Sequence, residues 1–341
     1  MEKERKKRGI CCGGNMIVDI TYPIETWPRQ NELTHITGEA RRTIGGAVCN
    51  VLLDLARLDP MLPLMASGLV GHDAEGDLIM EEMGRYPNLD LSMIRRDSQT
   101  SFTIVMSDHE TKERTFFQYA GASAEYGRQE IEWDRMDADI FHMGYILLLP
   151  YLDEPDEEYG TRMARLLHLA REHGLKTSID VVSEAGERFE CLVPPALKYT
   201  DYCIINELEA QQITGVLLRD ENGRLHQEHM KEALFKLRAL GVSTWAVIHC
   251  PELGCGIDER ESYCEFPSLT LPKGFIKGTV GAGDAFCAGV LYAAETGMPL
   301  SEGLKLGSCT AAASLSKANA SDGVQTKNEV LKLYEKYGNN R

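Results

Sequence analysis

The chain has 341 residues and carries 36 Lys and Arg against 52 Asp and Glu, a net charge of −16 with histidine neutral. Apolar residues make up 43% of it and 31 glycines come on top, so it is read as a folded chain of one large α/β domain or two ordinary ones rather than as a disordered segment. An acidic surface repels phosphate backbones and anionic lipid, and beyond residues 2–8 no Lys/Arg stripe is present, which excludes nucleic acid as a general partner.

Ten cysteines lie scattered, mostly inside apolar runs, and read as free thiols of a reducing cytoplasm. The basic start is followed by an apolar stretch that Gly13, Gly14, Asn15 and Asp19 break at once, so no signal peptide is expected. No run approaches the roughly 20 apolar residues of a membrane span. The expected location is the cytoplasm.

In chain order, short β-type runs alternate with helical periodicity. Residues 10–19 form an apolar run broken by glycines, and after Gly45-Gly46 the positions Val51, Leu52, Leu55, Ala56 and Leu58 mark one helical face. Residues 62–66 predict a strand ending in Gly68-Leu-Val-Gly71. Residues 101–106 and 114–119 are Thr/Phe/Val-rich runs joined by a polar turn, the pattern of an antiparallel hairpin set into an α/β chain, and such insertions often serve as lids. A strand at 140–143, a helix carrying Met163, Leu166, Leu167 and Ala170, and a strand at 176–179 ending at Asp180 follow. Next come a strand at 202–205 ending at Asn206, a helix with Leu234, Leu237 and Leu240, a strand at 244–248, and two Ala-rich helices after Gly283. This rhythm predicts a mostly parallel sheet with helices on both faces. Ligands of such sheets sit beyond the carboxyl ends of the strands, where Asp19, Asp180 and Asn206 are expected.

The sharpest local signal is Gly278-Thr-Val-Gly-Ala-Gly-Asp284 followed by Ala-Phe-Cys-Ala-Gly289. Small residues at 281–283 let the backbone turn tightly and aim N–H groups outward at a helix N-terminus, where the dipole favours an anion. Asp284 would stand in the first turn, as a functional acid or simply as an N-terminal capping one. Other phosphate motifs are absent: the chain has no Gly-Lys pair for a Walker A loop, and Phe286 stands where the dinucleotide fingerprint needs its third glycine. His226-x-x-His229 and the group Cys250, Cys255, Cys264 match no structural zinc spacing.

Gly281-Ala-Gly-Asp284 with Ala285 and Phe286 resembles the C-terminal signature of the ribokinase-like PfkB carbohydrate kinases. Further segments fall into that family's order: Gly14-Asn15-x-x-x-Asp19, Gly45-Gly46-x-x-x-Asn50, Gly68-x-Val-Gly71-x-Asp73-x-x-Gly76, Arg114-Thr-Phe116 with Gly121-Ala122, and Asn206-x-x-Glu209. The resemblance implies a three-layer α/β/α sandwich over about 9–330, with a β lid at about 101–119 and terminal extensions at 1–8 and 331–341. It implies ATP and Mg²⁺ as cofactors, a small sugar as acceptor and a homodimer built through the lid. Asp284 would be the general base, and the N–H groups of Gly281, Ala282 and Gly283 the anion hole. Asn15, Asp19 and Asn50 would hydrogen-bond the sugar, with Gly45 and Gly46 letting the main chain approach it. Asn206 and Gly254 would meet the nucleotide, and Glu209 would organise Mg²⁺ through water. Asn50 could instead cap the helix behind it, Glu209 could be a solvated helix residue and Asp19 a loop acid.

The chain departs from the family pattern twice. Gly278 stands where the family usually has an Asp that helps hold a monovalent cation, which puts that ion in doubt. His249-Cys-Pro-Glu-Leu-Gly254 replaces Thr-x-Gly-x-x-Gly, and proline has no N–H to offer a phosphate. The expected function is transfer of phosphate from ATP to a hydroxyl of a small sugar, most plainly a primary alcohol. The alternatives are a nucleoside kinase of the same fold, for which Phe102, Phe116, Tyr119 and Tyr145 are candidate stacking rings, and a non-catalytic sugar-binding or regulatory protein.

Overall fold

The computed structural model describes residues 8–111, 113–129, 131–182 and 188–338. Its strands are β1 (Ile10–Gly14), β2 (Ile17–Ile24), β3 (Arg41–Gly45), β4 (Leu64–Val70), β5 (Leu89–Arg96), β6 (Ser101–Asp108), β7 (Arg114–Tyr119), β8 (Ile140–Ile146), the short pair β9 (Pro155–Asp156) and β10 (Gly160–Thr161), β11 (Lys176–Val181), β12 (Tyr202–Asn206), β13 (Trp245–His249), β14 (Leu253–Ile257) and β15 (Tyr263–Pro267). The helices are α1 (Ala47–Leu58), α2 (Ala74–Met83), α3 (Pro150–Asp153), α4 (Arg162–Glu172), α5 (Phe189–Leu197), α6 (Glu207–Thr214), α7 (Met230–Leu240), α8 (Ala282–Glu295), α9 (Leu300–Ser314) and α10 (Lys327–Tyr337).

Nine strands form one sheet in the order β15-β14-β13-β12-β11-β8-β1-β4-β5, parallel except where β14 and β15 run antiparallel at one edge. Alternation along a strand sends successive side chains to opposite faces. In β1, Ile10 and Cys12 enter a core shared with α1, α8 and α9, while Cys11 enters a second core shared with α4, α5 and α7. The result is a three-layer α/β/α sandwich. Fully buried side chains such as Leu52 and Leu55 of α1 each contribute about 1.5–3 kcal/mol relative to exposure.

The run at 10–19 is two strands in two sheets. Gly14, at φ 121°, turns the chain out of the large sheet, and β2 joins β3, β6 and β7 in a separate four-stranded sheet of order β3-β2-β6-β7. The small sheet is therefore wider than the expected hairpin, and Asp19 lies within β2 of that sheet rather than at a strand end of the large one. The C-terminal segment also differs from the expected extension. Val330, Leu331, Leu333 and Tyr334 place an apolar stripe on α10, which packs on the core with Tyr334 against Phe266. The expected N-terminal extension falls, except for Arg8, outside the described residues. All ten cysteines are free thiols, with Cys191 exposed. No helix among the described residues is long and apolar enough to cross a membrane.

Candidate active site

The N-terminus of α8 is made by glycine. Gly281 caps the helix at φ 78°, and a Cβ there would lie 2.5 Å from the Cβ of Ala320, so both its left-handed backbone and its close packing demand glycine. The first-turn N–H groups have no intrahelical acceptor; that of Ala282 makes only a long 3.4 Å contact with the Thr279 carbonyl. Asp284 stands in the first turn, is 3% exposed and makes no capping hydrogen bond. Its Oδ2 accepts hydrogen bonds from Asn50 Nδ2 (2.8 Å) and the Tyr145 hydroxyl (2.9 Å). Its Oδ1 is buried and has no partner. Burial pushes its pKa up to about 6, against the two hydrogen bonds that lower it. A desolvated carboxylate with one oriented and one idle oxygen beside a helix N-terminus can take a proton from a hydroxyl held in front of it.

The glycine pair shapes the neighbouring wall. Gly46 caps α1 at φ 84°, where a Cβ would sit 2.6 Å from both the carbonyl oxygen and the Oδ1 of Asn15. Asn15 is fully buried, and neither of its side-chain polar atoms has a partner; the Oδ1 of Asn50 is likewise idle. Buried amides left open in this way are costly unless a ligand or water completes them. Asn50 lies inside α1 and orients Asp284, so it does not cap its helix. Asp19 reaches this wall from the small sheet: a Cβ on Gly45 would lie 2.9 Å from its Oδ2. Burial raises its pKa to about 6, with Arg114 pulling it back down. Burial pushes the Cys49 thiol up, and the Asp19 and Asp284 carboxylates push it further.

Asp284 also lines a cavity of about 270 Å³, with Asp180, Asn206, Glu209, His249, Thr279 and residues 281–283 among its other walls. Asn206 and Glu209 form a capping box at the start of α6: Asn206 Oδ1 accepts from the Glu209 N–H and a Glu209 carboxylate oxygen accepts from the Asn206 N–H, both at 2.9 Å. Glu209 is 3% exposed, so it is not a solvated helix residue. Asp180 is buried, and its pKa is raised well above the usual carboxylate range by burial and then by Glu209 and Asp284. Among the described residues no three acidic, histidine or cysteine side chains converge closely enough to cage a metal directly. A buried Asp180 whose pKa the neighbouring carboxylates raise nevertheless suits a hydrated divalent cation that needs few protein ligands. Gly254 lies apart from this lining: it is in β14, and a Cβ there would meet the Phe286 ring at 2.6 Å.

The sequence does not show that Asp180 and Tyr145 meet at Asp284. Asp180 is visible there only as a strand end, and its position at the carboxyl edge of β11 was the available signal. Tyr145 is visible only as a candidate stacking ring, whereas its hydroxyl bonds Asp284 from a backbone at φ 61°, a left-handed position unusual for a bulky residue.

The sequence model of the pfkB family carbohydrate kinases matches residues 7–327. The chain is 21% identical over 338 residues to a nucleoside kinase of Methanocaldococcus jannaschii, covering 97% of this chain and 98% of that one. It is 23% identical over 288 residues to the 2-dehydro-3-deoxygluconokinase of Escherichia coli K12, covering 82% and 90%. The fold superposes on Arabidopsis thaliana ribokinase, solved with ribose and ATP, with a TM-score of 0.79 at 20% identity, covering 96% of this chain and 99% of that one. Since the family match runs through both sheets and the whole site around Asp284, the chain belongs to the pfkB family of carbohydrate kinases and is an enzyme of that kind.

Proposed function

We propose that the protein transfers the γ-phosphoryl group of ATP to a hydroxyl, most plainly a primary alcohol, of a small sugar. The observation that carries this reading is the buried Asp284, with its pKa near 6 and one unpartnered oxygen, set in the first turn of α8. Asp284 takes the hydroxyl proton as the oxygen attacks, and the N–H groups of Gly281, Ala282 and Gly283 receive the charge on the transferring phosphoryl oxygens. Asn15, Asp19 and Asn50 hold the sugar's hydroxyls, and the open main chain at Gly45 and Gly46 brings them close. Glu209, with Asp180 beside it, holds Mg²⁺ through water; the ion supplies charge neutralisation of the phosphates. Asn206 serves the nucleotide side. Gly254 belongs there less directly, through the room it leaves for Phe286.

Strand register favours a sugar over a nucleoside. Residues paired directly across strands share a face, so Asp19, Thr43, Thr103 and Gln118 face one way. Phe102 and Tyr119 pair with each other on the opposite face, with ring centroids 5.2 Å apart, and Tyr145 is engaged by Asp284. Of the four candidate stacking rings only Phe116 remains on the face of Asp19. A panel of sugars, sugar acids and nucleosides assayed for ATP consumption tests the reading. A sugar or sugar acid as best acceptor supports it, a nucleoside as best acceptor replaces it with the nucleoside-kinase reading, and no consumption with any acceptor overturns it.

A monovalent-cation site beside Gly278 is doubtful in this chain, which leaves only main-chain carbonyls there. The carboxylate is missing, and a Cβ on Gly278 would lie 2.9 Å from the Ala318 carbonyl oxygen and 3.1 Å from that of Lys317, so main chain fills the space a side chain would need. Activity is expected to be the same in K⁺, Na⁺ or a bulky organic cation. The comparison is made at constant ionic strength, because salt also screens ATP binding. A several-fold rise in rate with K⁺ would show that other ligands hold the ion.

A homodimer through the small sheet is part of the same proposal. All six residues of β7 are exposed, among them Phe116, Phe117 and Tyr119, and Trp27 stacks on Phe117. An edge strand with exposed aromatics on it invites pairing with a second copy. Sedimentation is expected to give a dimer for the wild type and a monomer for Phe117→Asp; a monomeric wild type sinks the idea.

A further inference from the structure

The turn between β13 and β14 leaves the nucleotide side short of donors. Cys250 spends its N–H on the Leu253 carbonyl at 2.9 Å, and Pro251 has none. A phosphate chain lying beside Gly281–Asp284 therefore has no main-chain donor to meet at residues 250 and 251. His249, the last residue of β13, stands where that donor is missing. Its ring lines the same cavity as Gly281, Ala282, Gly283 and Asp284. A Cβ on Gly283 would lie 3.3 Å from His249 Cε1 and 3.7 Å from its Nε2, so the Nε2 edge of the imidazole borders the anion-binding turn.

The buried His142 and the half-buried His249 of the central sheet differ in how they are satisfied. His142 bonds the Ser178 hydroxyl at 3.0 Å and lies 3.9 Å from the Cys287 sulfur; it is a core histidine with a structural explanation. The His249 ring has no hydrogen-bond partner among the described residues. It packs against Phe286, with centroids 4.8 Å apart and planes at 33°, and Phe286 in turn lies against Gly254 and Gly307. Burial holds the imidazole neutral, with its pKa lowered to about 4. A neutral imidazole offers one N–H donor and one acceptor.

We propose that His249 is a phosphate-contacting residue of the donor site, its Nε2–H donating a hydrogen bond to the polyphosphate chain of the nucleotide and replacing the donors that Cys250 and Pro251 cannot supply. Phe286 acts as the ring's backing and fixes its edge toward Gly283. The inference rests on the kinase reading above and adds to it the residue that recognises the donor. A hydrogen bond to a charged acceptor corresponds to a change of about 10- to 100-fold in affinity.

Two variants separate recognition from packing. His249→Gln keeps an N–H donor and loses the ring, whereas His249→Phe keeps a ring against Phe286 and loses the donor. Binding of MgADP and of inorganic tripolyphosphate is measured by calorimetry on the full chain, with thermal melts to verify folding. His249→Phe is expected to weaken both ligands about 10- to 100-fold while the Michaelis constant for the acceptor stays within about twofold, and His249→Gln is expected to retain most of the affinity. Equal affinity of His249→Phe and wild type, or loss with Gln and retention with Phe, would overturn the proposal and leave the kinase reading intact. A wild type that binds neither ligand would overturn both. Should His249→Phe fail to fold, ¹⁵N-imidazole spectra of the wild type decide the matter: an Nε2 resonance of His249 that moves on adding tripolyphosphate supports the contact, and an unmoved one refutes it.

Discussion

Replacing Asp284 by asparagine is expected to lower the turnover rate by about 10²- to 10⁴-fold, roughly 3–5 kcal/mol of barrier, while acceptor affinity changes little. Asparagine keeps the shape of the side chain and an oxygen for Asn50 and Tyr145 to donate to, at the places where both now meet Oδ2. What it removes is the basic lone pair of Oδ1, the oxygen that has no partner in the protein. A purely structural acid would show the reverse pattern, with stability lost and chemistry kept. The same carboxylate sets a pH limb. A base must be deprotonated, and burial has raised this pKa to about 6, so the wild-type rate is expected to fall as pH drops through that region and to be flat above it. The residual rate of the variant should lack this limb. Near-normal turnover, or an acid limb that survives the substitution, would remove Asp284 from the role of base.

The parts of this site legible in the sequence are those in which backbone geometry restricts residue type. Gly281 and Gly46 must be glycine because both hold positive φ at helix starts crowded by Ala320 and Asn15, and short motifs around such turns survive as readable spacing. Asn50 and Asp284 were visible for the same reason, each standing at a fixed offset from its glycines. Their contact with each other spans 234 positions, and no local pattern carries it. Tyr145 depends on β8 ending against the start of α1, where a Cβ on Gly144 would lie 2.1 Å from the Ala47 Cβ; that approach exists only in three dimensions. The width of the small sheet was hidden in a similar way. Residues 10–19 read as one apolar run because both halves are buried, and the turn at Gly14 that sends them to different sheets leaves no mark in hydropathy. The helix at Lys327–Tyr337 carries its apolar stripe at Val330, Leu331, Leu333 and Tyr334, beyond the last motif.

Replacing Asp19 by alanine is expected to raise the Michaelis constant for the acceptor by about 10- to 150-fold and to leave that for ATP nearly unchanged, because a hydrogen bond to a charged group is worth roughly 1.5–3 kcal/mol. The position supports this division. Asp19 lies on the small sheet beside Gly45 and is not among the residues lining the cavity of Asn206, Glu209 and His249. Loss of fold is not expected to confuse the result. Burial has raised the Asp19 pKa to about 6; a carboxyl whose folded pKa lies above its unfolded one is disfavoured by folding when ionised, so at neutral pH its removal relieves a cost rather than creating one. The variant should melt no lower than the wild type at pH 7. At pH values well below the unfolded pKa, where the wild-type carboxyl is protonated in both states, that relative gain should vanish. Asp19→Asn, which keeps a neutral hydrogen-bonding group, should fall between wild type and alanine in acceptor affinity. Equal increases in the two Michaelis constants would place Asp19 outside the acceptor site. A larger increase for ATP would move the acceptor to the opposite side of Asp284 and, with it, the assignment of Asn15 and Asn50.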